Sequence, residues 1–261
     1  MDRWQVLNLP RPRNRLAYVF YATNQTYAIA VLVLVRMLQR LGIRNDADLV
    51  VLHLPLARSI LAKMREMELM TVMVPELRYI DYPYFKDCLV KLRIFQLEYE
   101  RVLFVDADAI PLKSLDDLLR FSFDGSVAAP RAYWLPQPFW TSALLVVRPS
   151  VAKWDRLSRH FASAASKHFY DMEILNAEFA SEFATLPANT FALNSEWEDL
   201  NRPGFFGDFD DTYSKVSVVH FSALGKPWFY SLEEVRRLRP NAHPVFYKPW
   251  EEWRKTREEG L

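Results

Sequence analysis

The first hundred residues alternate short, wholly apolar runs with segments of helical period, and this alternation constrains the fold more than any other feature. Leu16 to Tyr21 (LAYVFY) is β-branched and aromatic, and Thr23 and Asn24 follow it. From Tyr27 to Leu41 the apolar residues return on a helical repeat that stops at Gly42. Leu49 to Leu54 reads as a buried strand, Arg58 to Glu66 as a helix and Leu69 to Val74 as another strand. Cys88 to Leu97 reads as an amphipathic helix feeding Arg101 to Val105 (RVLFV), which is apolar on both faces. Strands without a polar face need cover on both sides, and helical crossovers supply it. The expected class is therefore α/β, with a mixed, mainly parallel central sheet flanked by helices.

Beyond Pro111 the rhythm is mixed. Asp116 to Leu119 is expected as a short helix, Val127 to Ala129 as a short strand and Thr141 to Val147 as a strand. Ser150 is expected to cap a helix running to about His160, and Asp171 to open another containing Ile174, Leu175 and Phe179. Aromatics and prolines from Tyr133 to Trp140 and after Pro227 suggest ordered loops laid over the sheet, and Glu251 to Glu259 a solvated helix or tail. There is no repeat, low-complexity tract or second-domain boundary. A chain of 261 residues, 51% of them hydrophobic, can bury one large core.

A formal charge of +1 gives no general field for nucleic acid or an anionic membrane, so a polyanionic ligand must be met locally. A small phosphorylated molecule suits that better than DNA or RNA. With Cys88 the only cysteine, the chain can build no internal disulfide, zinc cluster or CxxC pair, and a reducing compartment is the simpler expectation. The longest apolar stretch, Ala28 to Val35, stops at Arg36, far short of the roughly 20 residues that cross a bilayer. Arg3, Arg11, Arg13 and Arg15, interrupted by Pro10 and Pro12, leave no apolar h-region, so no signal peptide is expected.

The strand Arg101 to Val105 ends abruptly in Asp106-Ala107-Asp108. In an open α/β sheet, ligands collect at the carboxyl ends of the strands. Residues two apart on an extended chain point the same way, so both carboxylates can converge on one hard cation. An Asp-x-Asp that merely caps a turn is the rival reading. Against it, Ile110-Pro111-Leu112 ties the following loop down. His220 ends an apolar run from Val216 and lies six positions before Lys226, so a ligand and a cation can be presented together, although a lone histidine at a strand end is commonly structural. His53, inside a presumed central strand, reads as core.

These segments resemble glycosyltransferase family 8, the glycogenin-like group. The resemblance is carried by Thr23-Asn24 with Tyr27, Lys91-Leu92, Asp106-Ala107-Asp108, Thr141-Ser142-Ala143, Asp171 with Ile174-Leu175-Asn176, and Val219-His220-Phe221 running through Gly225 to Lys226-Pro227-Trp228. It implies one GT-A domain over residues 1–261, with a nucleotide-binding half at about 16–112 and an acceptor and sugar half at about 113–261. It also implies a retaining transferase that moves a glucose, N-acetylglucosamine or galactose type of sugar from a UDP-sugar to a glycan, protein or small-molecule acceptor. Asp106, Asp108 and His220 would ligate manganese or magnesium, and imidazole favours manganese. Thr23, Asn24, Tyr27, Lys91, Ala107, Gly225 and Lys226 would hold the nucleotide. Thr141, Ser142, Asp171 and Asn194 would face the sugar or the acceptor, with Asp171, Lys91 and Lys226 nearest the chemistry.

Three departures from the family pattern, Thr141-Ser142-Ala143 for Asn-Ser-Gly, Ala223 for glycine and Met172 for glutamine, fall where sugar hydroxyls are read. They bear on donor identity more than on nucleotide binding. Each residue also has a plainer role open to it. Lys91 can snorkel from a helix, Asp171 can cap one, and Tyr133, Trp134, Phe139 and Trp140 can be either a sugar platform or core. The rival functions are a nucleotidyltransferase, which lacks its glycine-rich loop here, and a non-catalytic sugar-nucleotide or glycan-binding protein of the same fold. The expected setting is cytoplasmic, or the Golgi lumen if an anchor precedes the sequence, and a homodimer is compatible with it.

Overall fold

The computed structural model describes Leu7 and residues 9–75, 83–164, 169–202 and 204–259. Arg3, one of the N-terminal basic residues, lies outside them. The elements run β1 (Leu16–Ala22), α1 (Gln25–Arg40), β2 (Ala47–His53), α2 (Arg58–Glu66), β3 (Met70–Met73), α3 (Pro83–Val90), β4 (Arg101–Val105), β5 (Ala109–Pro111), α4 (Asp116–Leu119), β6 (Val127–Ala129) and β7 (Leu144–Val147). They continue with α5 (Val151–Ala164), α6 (Asp171–Phe179), β8 (Phe183–Thr185), β9 (Phe191–Leu193), α7 (Phe209–Lys215), β10 (Val218–His220), α8 (Leu232–Leu238) and α9 (Lys248–Glu258).

Seven strands form one sheet in the order β3-β2-β1-β4-β7-β6-β8, with β7 antiparallel to both β4 and β6 and the other pairs parallel. Alternate residues of the central strands enter opposite cores, as the period of two requires. Ala17, Val19, Val50, Leu52, Val102 and Phe104 pack with Phe95, Trp154, Leu157 and Ile174. Tyr18, Phe20, Val51, Leu103 and Val105 pack with Ala28, Val31, Leu34 and Val35 of α1. Helix α1 is apolar all round because its other side is buried too. There Val33 and Met37 join Ile110, Val219, Phe221, Trp250 and Trp253 in a third core.

That third core lies under a small sheet of order β5-β10-β9. Strand β10 is antiparallel to β5, with Val219 opposite Ile110 and His220 opposite Ala109, and parallel to β9. The ladder extends past both ends. Leu112 N–H donates to Ser217 O at 2.8 Å, and Phe221 N–H donates to Asp108 O at 3.0 Å.

Several expectations need correction. The helix expected from Cys88 begins at Pro83, and from Lys91 to Gln96 it tightens into a 3-10 turn. The strand expected from Thr141 starts at Leu144, because the three residues before it turn into the cleft described below. The charged C-terminal segment is no free tail: Trp250 and Trp253, three apart on α9, are buried in the third core. Ser150 does cap α5, accepting from Lys153 N–H at 3.3 Å.

Removing the side chain of Ile110, which has no exposed surface, tests the small sheet. Ile110→Ala is expected to cost about 2–5 kcal/mol in urea unfolding. A loss below about 1 kcal/mol would mean that the β5–β10 ladder carries no share of the core.

Candidate functional site

Strand β1 is flanked by β2 on one side and β4 on the other, so the chain reverses its direction of travel across the sheet between them. In open α/β sheets the crevice at that switch point, beyond the carboxyl ends of the strands, is where ligands sit. A cleft of about 440 Å³ opens there. Its walls include Thr23 and Tyr27 after β1, Lys91, Asp106 and Asp108 after β4, Thr141 and Ser142 before β7, Asp171, His220 and Lys226.

The ladder between β5 and β10 brings two distant segments together. With His220 opposite Ala109, the imidazole lies over the Asp-Ala-Asp turn, which is itself closed by Ala109 N–H donating to Asp106 O at 3.1 Å. His220 Nε2 is 3.1 Å from Asp108 Oδ1 and 3.9 Å from Asp106 Oδ2. One ligand atom from each of the three residues lies within 4.8 Å of the others. Among the described residues no other group of three or more histidine, cysteine or acidic side chains has that geometry. His220 Nδ1 is buried without a hydrogen-bond partner. Two carboxylates and an imidazole so placed fit a divalent cation.

Two ammonium groups flank the cluster. Lys91 Nζ is 2.9 Å from Asp106 Oδ1, 3.0 Å from Asp106 Oδ2 and 2.9 Å from Asp171 Oδ2, and the residue is 4% exposed. Lys226 Nζ is 2.5 Å from Asp108 Oδ2 and donates to Phe221 O at 2.6 Å. The four aspartates of the lining, Asp87, Asp106, Asp108 and Asp171, outnumber its two lysines, so the cleft is net acidic.

Burial raises the Asp106 carboxyl to about 6; Lys91 counters this and Asp108 adds to it. For Asp108 burial is outweighed by His220 and Lys226, which hold it well below the usual carboxylate range. Burial lowers the Lys91 ammonium, but Asp106 and Asp171 more than offset it, and the group stays charged well above pH 10.5.

Asp171 is the first residue of α6 rather than its cap. Its carboxylate is committed to Lys91, and the cap position belongs to Tyr170. Asn24 is the N-cap of α1, its Oδ1 accepting from Thr26 and Tyr27 N–H at 3.0 and 3.1 Å. The Tyr27 ring meets Trp228 edge-on at 5.3 Å. The side chain of Ala107, 1% exposed, packs into the core instead of facing the cleft. His53 is core, its ring Nδ1 2.8 Å from Leu54 O.

Asn194 has no exposed surface. Its Oδ1 accepts from Ser222 N–H at 2.7 Å and Ala223 N–H at 2.8 Å, and its amide nitrogen donates to Ala223 O at 3.3 Å. The clamped loop then passes through Leu224 at φ +57° and Gly225 at φ +80° before delivering Lys226. A leucine in the left-handed region costs roughly 1–2 kcal/mol, so the bonds to Asn194 hold a strained turn in place. Gly225 shapes the turn.

Sequence reasoning missed Tyr21 and Cys88. Both line the cleft, and both signals were present. Tyr21 lies two before Thr23 on one side of an extended chain, and Cys88 lies three before Lys91 on one helical face. Burial and the charge of Asp171 push the Cys88 thiol up to about 12.

Lys91 is the counter-ion of two buried acids. Lys91→Met is expected to lower stability by about 3–5 kcal/mol in metal-free urea unfolding, because Asp106 and Asp171 are then left uncompensated. A change below about 1 kcal/mol, the size of a surface pair, would contradict that role.

No family model matches the chain. It is 28% identical over 247 residues to glucose N-acetyltransferase 1 of Gibberella zeae, covering 84% of this chain and 54% of that protein. To glycogenin-1 of Oryctolagus cuniculus it is 28% identical over 251 residues, covering 90% of this chain and 74% of the relative. The chain thus spans about half the length of the first of these relatives. Among solved structures, an active-site mutant of LgtC superposes with a TM-score of 0.65 at 15% identity, over 91% of this chain and 99% of that one, which establishes a shared GT-A fold. In sequence the chain is thus similar to glucose N-acetyltransferase 1 and glycogenin-1, and in fold to the GT-A glycosyltransferases.

Proposed function

We propose that the chain is a metal-dependent, retaining glycosyltransferase that moves a hexosyl unit from a UDP-sugar to an acceptor hydroxyl. One observation carries the reading. Asp106, Asp108 and His220 present ligand atoms within 4.8 Å of one another, with Lys226 beside one carboxylate and Lys91 beside the other, at the switch point of the sheet. Thr23 and Tyr27, which line the cleft at the entrance to α1, would hold the uracil and ribose. The N-terminus of a 16-residue helix favours the phosphates. Lys226 then faces the diphosphate, and Thr141, Ser142 and Asp171 face the donor sugar. Asn194 acts through the loop that carries Lys226, without touching the ligand. A bound divalent ion would supply Lewis-acid stabilisation of the leaving diphosphate.

Retention of configuration is assigned to attack on the face the diphosphate leaves. The acceptor oxygen forms the new glycosidic bond as the old one breaks, and its proton passes to a diphosphate oxygen. Asp171 is a poor candidate for a covalent nucleophile, since Lys91 holds its carboxylate at 2.9 Å. Lys91 and Lys226 lower the barrier by facing developing charge in a concave site. The nucleotidyltransferase alternative fares worse, because the segment after β1 is the Asn24 cap and not a glycine-rich phosphate loop. With a single cysteine, the chain suits the cytoplasm.

Incubation with manganese, a panel of UDP-sugars and mixed acceptors is expected to release UDP in step with glycoside formation. Asp108→Asn and His220→Ala are each expected to lower kcat by about 10²–10³. Tight binding of UDP and manganese with no sugar moved from any donor would favour a non-catalytic sugar-nucleotide-binding protein. A sugar trapped covalently on Asp171 would overturn same-face attack.

A further inference from the structure

A second cavity, larger than the cleft at about 740 Å³, lies beside it. Its walls carry five aromatic rings: Tyr133, Trp134, Phe191, Phe205 and Phe206. The two spaces are continuous in their lining, because Trp134 belongs to both. Phe191, at the base of the apolar cavity, has its ring 5.9 Å from the His220 ring and 6.3 Å from that of Trp134. A group in this cavity is one ring away from the proposed metal site.

The lining is pre-shaped. Tyr133 packs against Phe205 at 4.7 Å and Phe206 at 4.6 Å, and its hydroxyl accepts from Leu193 N–H at 3.0 Å. That bond ties the wall to strand β9, next to the strand carrying His220. Phe205 remains 62% exposed and Trp134 37%, an aromatic surface larger than isolated exposed side chains would give.

Scarcity of polar partners decides what fits. The Tyr133 hydroxyl is engaged, and Thr185 Oγ1 accepts the indole N–H of Trp140 at 2.9 Å. Arg131 and the indole of Trp134 are the remaining polar side-chain groups of the lining, both on exposed residues. An oligosaccharide would bring several hydroxyls per residue into a space with few side-chain partners for them, and each unanswered group weakens binding. An apolar group loses nothing there, and the volume lies within the roughly 300–1,000 Å³ of small-molecule sites.

We infer that the acceptor is a hydroxylated molecule bearing an apolar aglycone, aromatic or aliphatic, and that the aromatic cavity holds that aglycone while the hydroxyl reaches into the cleft. This rests on the transferase reading above and adds the substrate class to it.

The test is calorimetric binding to the full chain, with UDP and manganese present, of methyl, phenyl and octyl glycosides of the same sugar. The phenyl or the octyl glycoside is expected to bind at least tenfold more tightly than the methyl one. Phe205→Ala, at an exposed position outside the cleft, is expected to reduce that ratio at least threefold and to leave the affinity for UDP with manganese unchanged. Methyl, phenyl and octyl glycosides binding within twofold of one another would overturn the proposal. So would a ratio unmoved by Phe205→Ala, or an oligosaccharide binding more tightly than either apolar glycoside. Binding of UDP with manganese, measured on the same samples, reports separately on the transferase reading: its failure counts against that reading whatever the aglycone ratio shows.

Discussion

The arrangement of the cleft depends on a three-residue pairing. Strand β10 lies antiparallel to β5 with His220 opposite Ala109, so a histidine far along the chain faces the two acids that end β4. Without this register the seven-stranded sheet would still form, since its strands are buried in cores that do not contain Ile110 or Val219. A slip of one residue would turn His220 away and bury the wrong neighbours, because side chains alternate across a strand. The register is fixed from beneath by the third core, where Ile110, Val219 and Phe221 pack on Trp250 and Trp253. The C-terminal helix therefore supports the site without lining it.

Electrostatics follows from that geometry. Asp106, Asp108 and Asp171 crowd into a space where burial alone disfavours ionisation; Asp106 and Asp171 share Lys91, and Asp108 is paired with His220 and Lys226. Lys91 joins the acid at the end of β4 to the acid at the start of α6. His220, the last residue of β10, and Lys226, in the loop after it, approach Asp108. An excess of aspartates over lysines at a concave, partly desolvated site is a physical basis for selecting a divalent cation together with an anionic ligand. The strained Leu224-Gly225 turn, clamped by Asn194, fixes where Lys226 enters.

Legibility in the sequence follows the length and polarity of each element. β1, β2, α2 and β4 were readable because each carries an uninterrupted apolar run or a clear helical repeat. β5, β8 and β9 are three residues long, too short for alternation to register, whereas β6, equally short, shows only as the small apolar run Val127-Ala128-Ala129. α9 was misjudged because its many charges mask Trp250 and Trp253, whose spacing of three alone marks the buried face. The Asp-Ala-Asp pair could be read from strand chemistry, whereas His220 needed the family resemblance, since nothing local to a lone histidine tells where the fold will carry it. Asn24, Ala107 and Asn194 have local roles that only the fold reveals: a helix cap, a packed methyl and a buried loop clamp.

In the proposed site one ion is held jointly by the acids after β4 and the imidazole that ends β10. Pulsed electron paramagnetic resonance of the full chain titrated with Mn²⁺ in the presence of UDP examines that directly. The predicted result is a single saturable site per chain with nitrogen coupling from one imidazole, and with that coupling absent in His220→Ala. Saturable manganese binding without nitrogen coupling, or none at all, would contradict it.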